Sequence, residues 1–486
     1  MREAIKRQQE LSADLEPNEK KRADLREEVL RFTEDFLNNI YEGKVFNPEE
    51  GTGEVLRSNP MQATQHSISS VIAMLESEME PYGLNPASGG HLGYIPGGGI
   101  YTAALGDYIA DITNKYAGVY YASPGAVRME NALIRSIGEI IGYPEDAVGN
   151  LASGGSVANL ICLVSAREAK GITSENIRKT VIYSSAHGHH CLQKAVRIGG
   201  MKEAIWREVP LDNQYRIDAN ALENQIKEDK KAGLLPTIVI ASAGTTDTGS
   251  IDPLDEIANI AQEYDLWYHV DAAYGGFFAL LDEMKPKFKG IEKSDSAVLD
   301  PHKGLFLPYG LGVALVKNRE AILEAHHYQA NYMQDTAAVK TELSPADLSP
   351  ELTKHFRGLR LWMPLKLHGI EPFKACLKEK LMLAEYMKQE LMKIPGIELI
   401  CEPELSVVAF RYNCGDEAEN EKLNERLIKD IQADGRVFLS SSRVDGKFII
   451  RAAILSFRTH LEIVDYAIDF VRERVRQKTK DERHKT

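Results

Sequence analysis

The chain has 486 residues, of which 43% are hydrophobic and 27% charged, and a formal net charge of −13. That length and balance fit a globular protein of two to three domains. They argue against nucleic acid or an anionic membrane as partner, while still allowing an anion in a local pocket. The five cysteines, Cys162, Cys191, Cys376, Cys401 and Cys414, are irregularly spaced and form no CxxC. Neither a disulfide framework nor a bound metal is therefore expected, and a reducing, cytoplasmic location fits.

The first residues are charged and carry no apolar core of a signal peptide, and no run of 18 apolar residues occurs, so neither secretion nor a membrane span is expected. Leu25, Val29, Phe32, Phe36 and Ile40 recur at steps of three and four, which predicts an amphipathic helix over 20–42. A second helical pattern lies near 66–80. The segment 1–90 has too few apolar positions for a core of its own, so it is expected to pack on something else, such as a second subunit.

Over 91–370 the pattern changes to short β-rich runs at 179–184, 237–242, 266–271, 296–299 and 311–316, alternating with helical stretches. Between two of these runs, Asp252 is placed to cap a helix and Pro253 suits its first turn. Continuous apolar strands alternating with helices predict a mostly parallel sheet covered on both faces. Ligands of such sheets bind beyond the carboxyl ends of the strands. Residues 371–476 predict a smaller α/β unit, with a helix at 378–393, strands near 397–401, 406–411 and 447–455, and a last helix carrying Leu461, Val464, Ile468, Val471 and Val475 on one face. The charged tail 477–486 is expected to be disordered.

Four features fall at strand ends or helix starts of the large unit. Ser153-Gly154-Gly155-Ser156 opens a helix, which suits a phosphate seat or a plain Gly-rich turn. His187-Gly188-His189-His190 follows the strand at 179–184. It could be surface histidines, metal ligands lacking a carboxylate or Cys partner, or a ring stacking on a planar cofactor. His269-Val270-Asp271-Ala272-Ala273 ends a strand in an acid followed by small residues, so Asp271 either caps a turn or pairs with a ring N–H⁺. Asp300-Pro301-His302-Lys303-Gly304 follows another strand and gives either a solvated lysine or a desolvated amine ready to form a Schiff base. Taken together, a phosphate seat, a stacking ring, an acid for a pyridinium nitrogen and a lysine for an aldehyde are what pyridoxal 5′-phosphate (PLP) requires.

Several marks in register resemble the group II PLP-dependent amino-acid decarboxylases of fold type I, the family of aromatic-L-amino-acid and glutamate decarboxylases. They include NPASGGHLGYIP (85–96), SGGSVANL (153–160), HHCLQKA (189–195), HVDAAYGG (269–276), DPHKG (300–304) and HFRGLRLW (355–362). The resemblance runs from about residue 30 to 472. It implies a seven-stranded, mostly parallel large domain, a small C-terminal α/β domain, and a homodimer whose N-terminal helices wrap the partner. It implies that Lys303 carries the cofactor, Asp271 pairs with the pyridinium nitrogen, His189 stacks on the ring and Ala273 packs on its other face. Thr246 would lie near the ring oxygen, with Gly155, Ser156, Asp300 and His302 at the phosphate. Tyr94, Ile95, Pro96 and Gly97 would line the substrate pocket, with an aromatic amino acid favoured.

The chain departs from that family's pattern in three places. The family's mobile loop supplies a tyrosine that returns the final proton. The corresponding position here is Pro345, and 334–353 contains no Tyr and no His. Tyr328 or Tyr332 in a shifted loop, or His189 through water, are the substitutes. Gly97-Gly98-Gly99 stands where aromatic-substrate members have Thr-Ala-Asn, which is expected to leave room. Asp300 stands where many members have Asn, and an acid beside a phosphate is repulsive unless His302 or Lys303 screens it. Decarboxylation to the amine and CO₂ is thus the leading reading. A decarboxylating aldehyde synthase, another fold-type-I carbon–carbon lyase and a non-enzymatic binding protein are the alternatives.

Overall fold

The computed structural model describes residues 1–58, 61, 65–327 and 342–483. Among the described residues, fourteen strands form three sheets. Strands β1 (Phe46–Asn47) and β2 (Gly83–Leu84) make a short antiparallel pair. The main sheet has seven strands. They are β4 (Val148–Ala152), β5 (Thr180–Ser185), β6 (Ile205–Val209), β7 (Leu235–Ser242), β8 (Trp267–Asp271), β9 (Ser296–Leu299) and β10 (Gly312–Val316), in the spatial order β4-β10-β9-β8-β7-β5-β6. Only β10 runs against its neighbours, pairing antiparallel with β4 and β9.

This is the expected mostly parallel α/β sheet, and its central strands are buried on both faces. Alternate residues of β7 illustrate why: Val239 and Ala241 join one core and Ile238 and Ile240 the other. Two of the seven strands are not signalled in the sequence. The run IWREV of β6 lies at the sheet edge and carries Arg207 and Glu208, so it lacks a continuous apolar stretch. In β4, Gly149 and Asn150 break the pattern, and Gly149 is there for closeness: a Cβ would lie 2.0 Å from the Ala314 carbonyl oxygen.

The second sheet has five strands in the order β11-β12-β14-β13-β3. Four come from the C-terminal region: β11 (Ile397–Leu399), β12 (Val407–Tyr412), β13 (Phe438–Val444) and β14 (Lys447–Ala453). The fifth, β3 (His91–Leu92), pairs parallel with β13, so the chain enters the small sheet where the sequence pattern starts the large unit. Beneath this sheet, the helices Glu371–Leu391 and Leu461–Arg483 supply Leu383, Met387, Val464, Ile468 and Val471 to a separate core. The last helix continues to Arg483, past the start of the tail expected to be disordered, because charged helix formers need no core to extend a helix already nucleated.

After a first helix, Arg2–Leu11, the amphipathic helix expected at 20–42 spans Glu19–Asn38, and Asn18 caps it by accepting from the Lys21 N–H at 2.9 Å. None of its residues is buried within the chain. Among the described residues no helix is long and apolar enough to cross a membrane.

Candidate functional site

The carboxyl ends of β8 and β9 lie side by side in parallel register, so Asp271 at the end of one and Asp300–Lys303 just beyond the other reach the same space. The loops after β4, β5 and β7 open there too. Together they enclose a cavity of about 430 Å³ lined by Gly155, Ser156, His189, Thr246, Asp271, Ala273, Asp300, His302 and Lys303, among others. Nine residues singled out in the sequence, scattered over about 150 positions, are thus brought together.

Asp271 is held at the floor by donors aimed at it. The Ala273 N–H donates to its Oδ1 at 3.1 Å and Asn159 Nδ2 to its Oδ2 at 3.3 Å. Asn159 in turn fixes a directional chain. With its amide N–H directed to Asp271, its Oδ1 accepts from His269 Nε2 at 2.7 Å. The His269 Nδ1 then accepts from the Ser296 hydroxyl at 2.8 Å, and Ser296 Oγ accepts from the Trp267 indole N–H at 2.9 Å. Every donor in the series faces the carboxylate. Burial pushes the His269 ring down to about 3, so it stays neutral and keeps this polarity. Burial also raises the Asp271 carboxyl above its usual range, against the pull of the Lys303 ammonium. A cationic ring nitrogen within hydrogen-bond reach would reverse that shift.

Lys303 Nζ lies 2.9 Å from Asp300 Oδ2. Burial pulls the ammonium down, but the Asp300 charge and hydrogen bond, with Asp271 behind them, outweigh it and leave the lysine above its ordinary value. Asp300 is 1% exposed. It is wedged against the start of the helix Gly155–Ala169, which has no side-chain cap. His302 directs Nδ1 to the Leu311 carbonyl and brings Nε2 to 3.7 Å from Asp300 Oδ2.

His189 lies on the cavity wall, its Nδ1 accepting from the Cys191 N–H at 3.3 Å. Burial, together with His190 and Lys303, pushes the His189 ring down to about 4. His187 is turned elsewhere and stacks on Tyr215, with ring centroids 5.4 Å apart. Thr246 lines the cavity through a turn clamped by Arg451, whose guanidinium donates to the Thr246 and Asp247 carbonyls and to Ser440 Oγ.

Several sequence expectations are corrected here. Tyr94, Ile95, Pro96 and Gly97 do not line this cavity. Tyr94 is 60% exposed and packs on Phe438, while Ile95 is buried in the core. Gly97 leaves no room, because a Cβ there would lie 2.1 Å from the His302 carbonyl oxygen. Its absent side chain is what lets that strand of chain pass beneath Lys303. Asp252 does not cap the helix Leu254–Glu263. It is fully buried, accepts from the Ile217 and Ser242 N–H groups at 2.7 Å, and is pushed up to about 7 by burial. Pro345 is buried outside the cavity, its carbonyl accepting from Asn150 Nδ2 at 2.8 Å. Tyr328 and Tyr332 lie outside the described residues.

Asn159 and Tyr309 are among the lining residues to which the sequence assigns no role. Asn159 lies four residues after Gly155, on the same face of the helix, and that spacing could have pointed to it. Tyr309 has no such signal; burial raises its phenol against the pull of Lys303.

Comparison with known proteins agrees with this geometry. Residues 81–413 match the model of the pyridoxal-dependent decarboxylase conserved domain. An aromatic-L-amino-acid decarboxylase of Bacillus atrophaeus is 33% identical over 375 residues, 76% of this chain and 78% of that protein. A phenylacetaldehyde synthase of Petunia hybrida is 27% identical over 465 residues, covering 91% and 92%. Among solved structures, that of Oryza sativa TDC with PLP and tryptamine superposes with a TM-score of 0.89 at 22% identity, covering 95% of this chain and 99% of that one.

Proposed function

The chain belongs to the pyridoxal-dependent decarboxylase family, and on that premise we propose that it decarboxylates an aromatic L-amino acid at the cavity around Lys303. It is a PLP-dependent carboxy-lyase of fold type I. The observation that carries the residue assignment is the meeting of Lys303 and Asp271 at adjacent parallel strand ends above an uncapped helix start.

The residues fit the cofactor. The helix start Gly155–Ser156 lines the cavity without a side-chain cap, the Asp271 carboxylate faces the interior, and Ala273 is small enough for a flat ring to lie close. When bound, PLP supplies an electron sink conjugated with the substrate's Cα. Lys303 would hold the cofactor through its Nζ, which Asp300 fixes at 2.9 Å. Asp271, oriented by Asn159 and the Ala273 N–H, would hold a proton on the ring nitrogen. His189, neutral at ordinary pH, offers an uncharged ring face and excludes water from one side. Gly155, Ser156 and His302 would hold the phosphate, and Thr246 would lie near the ring oxygen, since all four line the cavity. The aromatic preference rests on the named activity of the Bacillus relative.

A homodimer is part of this reading. The helix Tyr101–Thr113 exposes Tyr101, Tyr108, Ile109 and Ile112, and no residue of the helix Glu19–Asn38 is fully buried within its own chain, which supports a second subunit covering both. The five unpaired cysteines support a cytoplasmic location.

One observation favours a second reading. The stretch 334–353 carries no Tyr or His, and Pro345 is packed away from the cavity, so a donor for the final proton is missing from the expected place. A decarboxylating aldehyde synthase, consuming O₂, would follow. A panel of amino acids scored for CO₂, amine, ammonia and peroxide decides the question. Amine in step with CO₂ supports the decarboxylase. Ammonia and peroxide in step with CO₂ establish the synthase. No CO₂ from any aromatic amino acid refutes both.

A further inference from the structure

We propose a second anion site on this protein: the groove between the helix Cys191–Ile198 and the edge strand β6 binds a ligand carrying a chain of two or more phosphates. It shares no lining residue with the cavity around Lys303 and does not rest on the cofactor reading.

The helix divides by face. Leu192, Ala195 and Val196 are buried in the core below, while Gln193, Lys194 and Arg197 are exposed on the other side. The chain then turns through Lys202 and returns as β6, whose Trp206 packs partly buried against the same core. The groove so formed has a volume of about 470 Å³ and is lined by His190, Gln193, Lys194, Arg197, Lys202 and Trp206, among others. That volume suits a small organic ligand.

No carboxylate lines it. The chain carries 71 acidic against 58 basic side chains, so a basic groove runs against its bulk charge. Elsewhere surface cations find acids, as in Lys170–Asp265, Lys227–Glu223 and Lys293–Asp255. Lys194, Arg197 and Lys202 make no ion pair and no side-chain hydrogen bond among the described residues. The acids nearest in the chain, Glu203 and Glu208, are exposed and stay outside the lining. A merely solvated face needs neither the concavity nor the exclusion of acids. Three cations around one groove repel one another, and an anion relieves that repulsion. A guanidinium fork beside two point charges suits several phosphate oxygens better than a single carboxylate. Trp206 adds a flat wall, so the phosphate chain is either inorganic or part of a nucleotide.

The groove lies away from the apolar face assigned to a second subunit. Strands β4 and β6 are opposite ends of the main sheet, six strand steps or about 29 Å apart. The helix Tyr101–Thr113 belongs to the β4 end, reached through the helices Gly358–His368 and Pro124–Ile140. The groove does back on the cofactor cavity, because the His190 ring lies 4.1 Å from that of His189. The test therefore fills that cavity first.

Calorimetry is run on the full-length chain, PLP-loaded and dialysed, in about 0.15 M salt without magnesium, where long-range attraction is screened. The probes are inorganic tripolyphosphate and ATP. Wild type is expected to bind at least one of them at one per chain, with Kd below about 1 mM. Arg197→Gln combined with Lys202→Gln, a change at exposed side chains, is expected to weaken that binding about tenfold or more. Equal binding of both probes would make the phosphate chain the whole determinant. Tighter binding of ATP, with the advantage lost in Trp206→Leu, would make the ligand a nucleotide. The inference is overturned if neither probe binds, if the double variant binds as wild type does, or if binding appears only after PLP is removed, which would assign it to the cofactor seat.

Discussion

Replacing Asp271 by Asn tests the electrostatics of the site with almost no change in shape. The carboxylate is buried and receives two donors, from Asn159 and from the Ala273 N–H. Opposite charges about 3 Å apart interact by about 5 kcal/mol at an effective dielectric near 20, which corresponds to roughly 10⁴-fold in rate if the full interaction is lost in the transition state. An amide cannot hold the ring nitrogen's proton, and its N–H₂ would also face the Asn159 donor. Turnover should therefore fall by about three to four orders of magnitude, while the cofactor remains attached to Lys303. The assay is CO₂ release with the best aromatic substrate, with cofactor occupancy read from visible absorbance of the same sample. Turnover within tenfold of wild type at full occupancy would refute the reasoning.

Other outcomes follow from contacts outside that pair. Gly97→Ala should lower PLP occupancy sharply, because its Cβ would lie 2.1 Å from the His302 carbonyl and must displace the segment carrying Lys303; occupancy after dialysis measures this. Glu130→Gln should cost about 3–5 kcal/mol of stability in urea unfolding. It breaks a fully buried ion pair with Lys354 at 2.7 Å and alters a carboxylate that also accepts from the Gly358 N–H. Asn159→Ala should cost about 1–3 kcal/mol and lower kcat with little change in KM, since it leaves the His269 N–H unsatisfied and frees Asp271. Stability should depend on pH in a set direction. His269 is held near 3, below its ordinary 6.5, so the stability it contributes is complete above about pH 6.5 and is lost as pH falls toward 3. The difference in urea midpoint between wild type and His269→Gln, in which the opposite contribution of Asp252 cancels, should be flat from about pH 7 to 8 and shrink below 6.5, and a difference that grows on acidification would contradict the burial argument.

Much of the site was legible because its chemistry is local in sequence. Asp271 and Lys303 each end or follow an apolar strand, and parallel strands present their carboxyl ends on one side, so the pattern alone brings them close. What pairs with what was less legible. Lys303 rests on Asp300 in this structure, and that contact depends on two glycines, Gly155 and Gly312, from separate elements. Gly97 was expected to widen a substrate pocket, but it is required by a backbone 205 residues further on. Asp252 carried a helix-cap signature, yet tertiary N–H groups from Ile217 and Ser242 outcompeted the local role. Strand β6 escaped notice because an edge strand can carry charge on its open side.

The central claim, that Lys303 carries the cofactor, is tested most directly by borohydride reduction of the PLP-loaded protein followed by peptide mass mapping. The account predicts a pyridoxyl phosphate adduct on the peptide containing Lys303 and none in Lys303→Ala. An adduct on another lysine, or one that persists unchanged in Lys303→Ala, would contradict it.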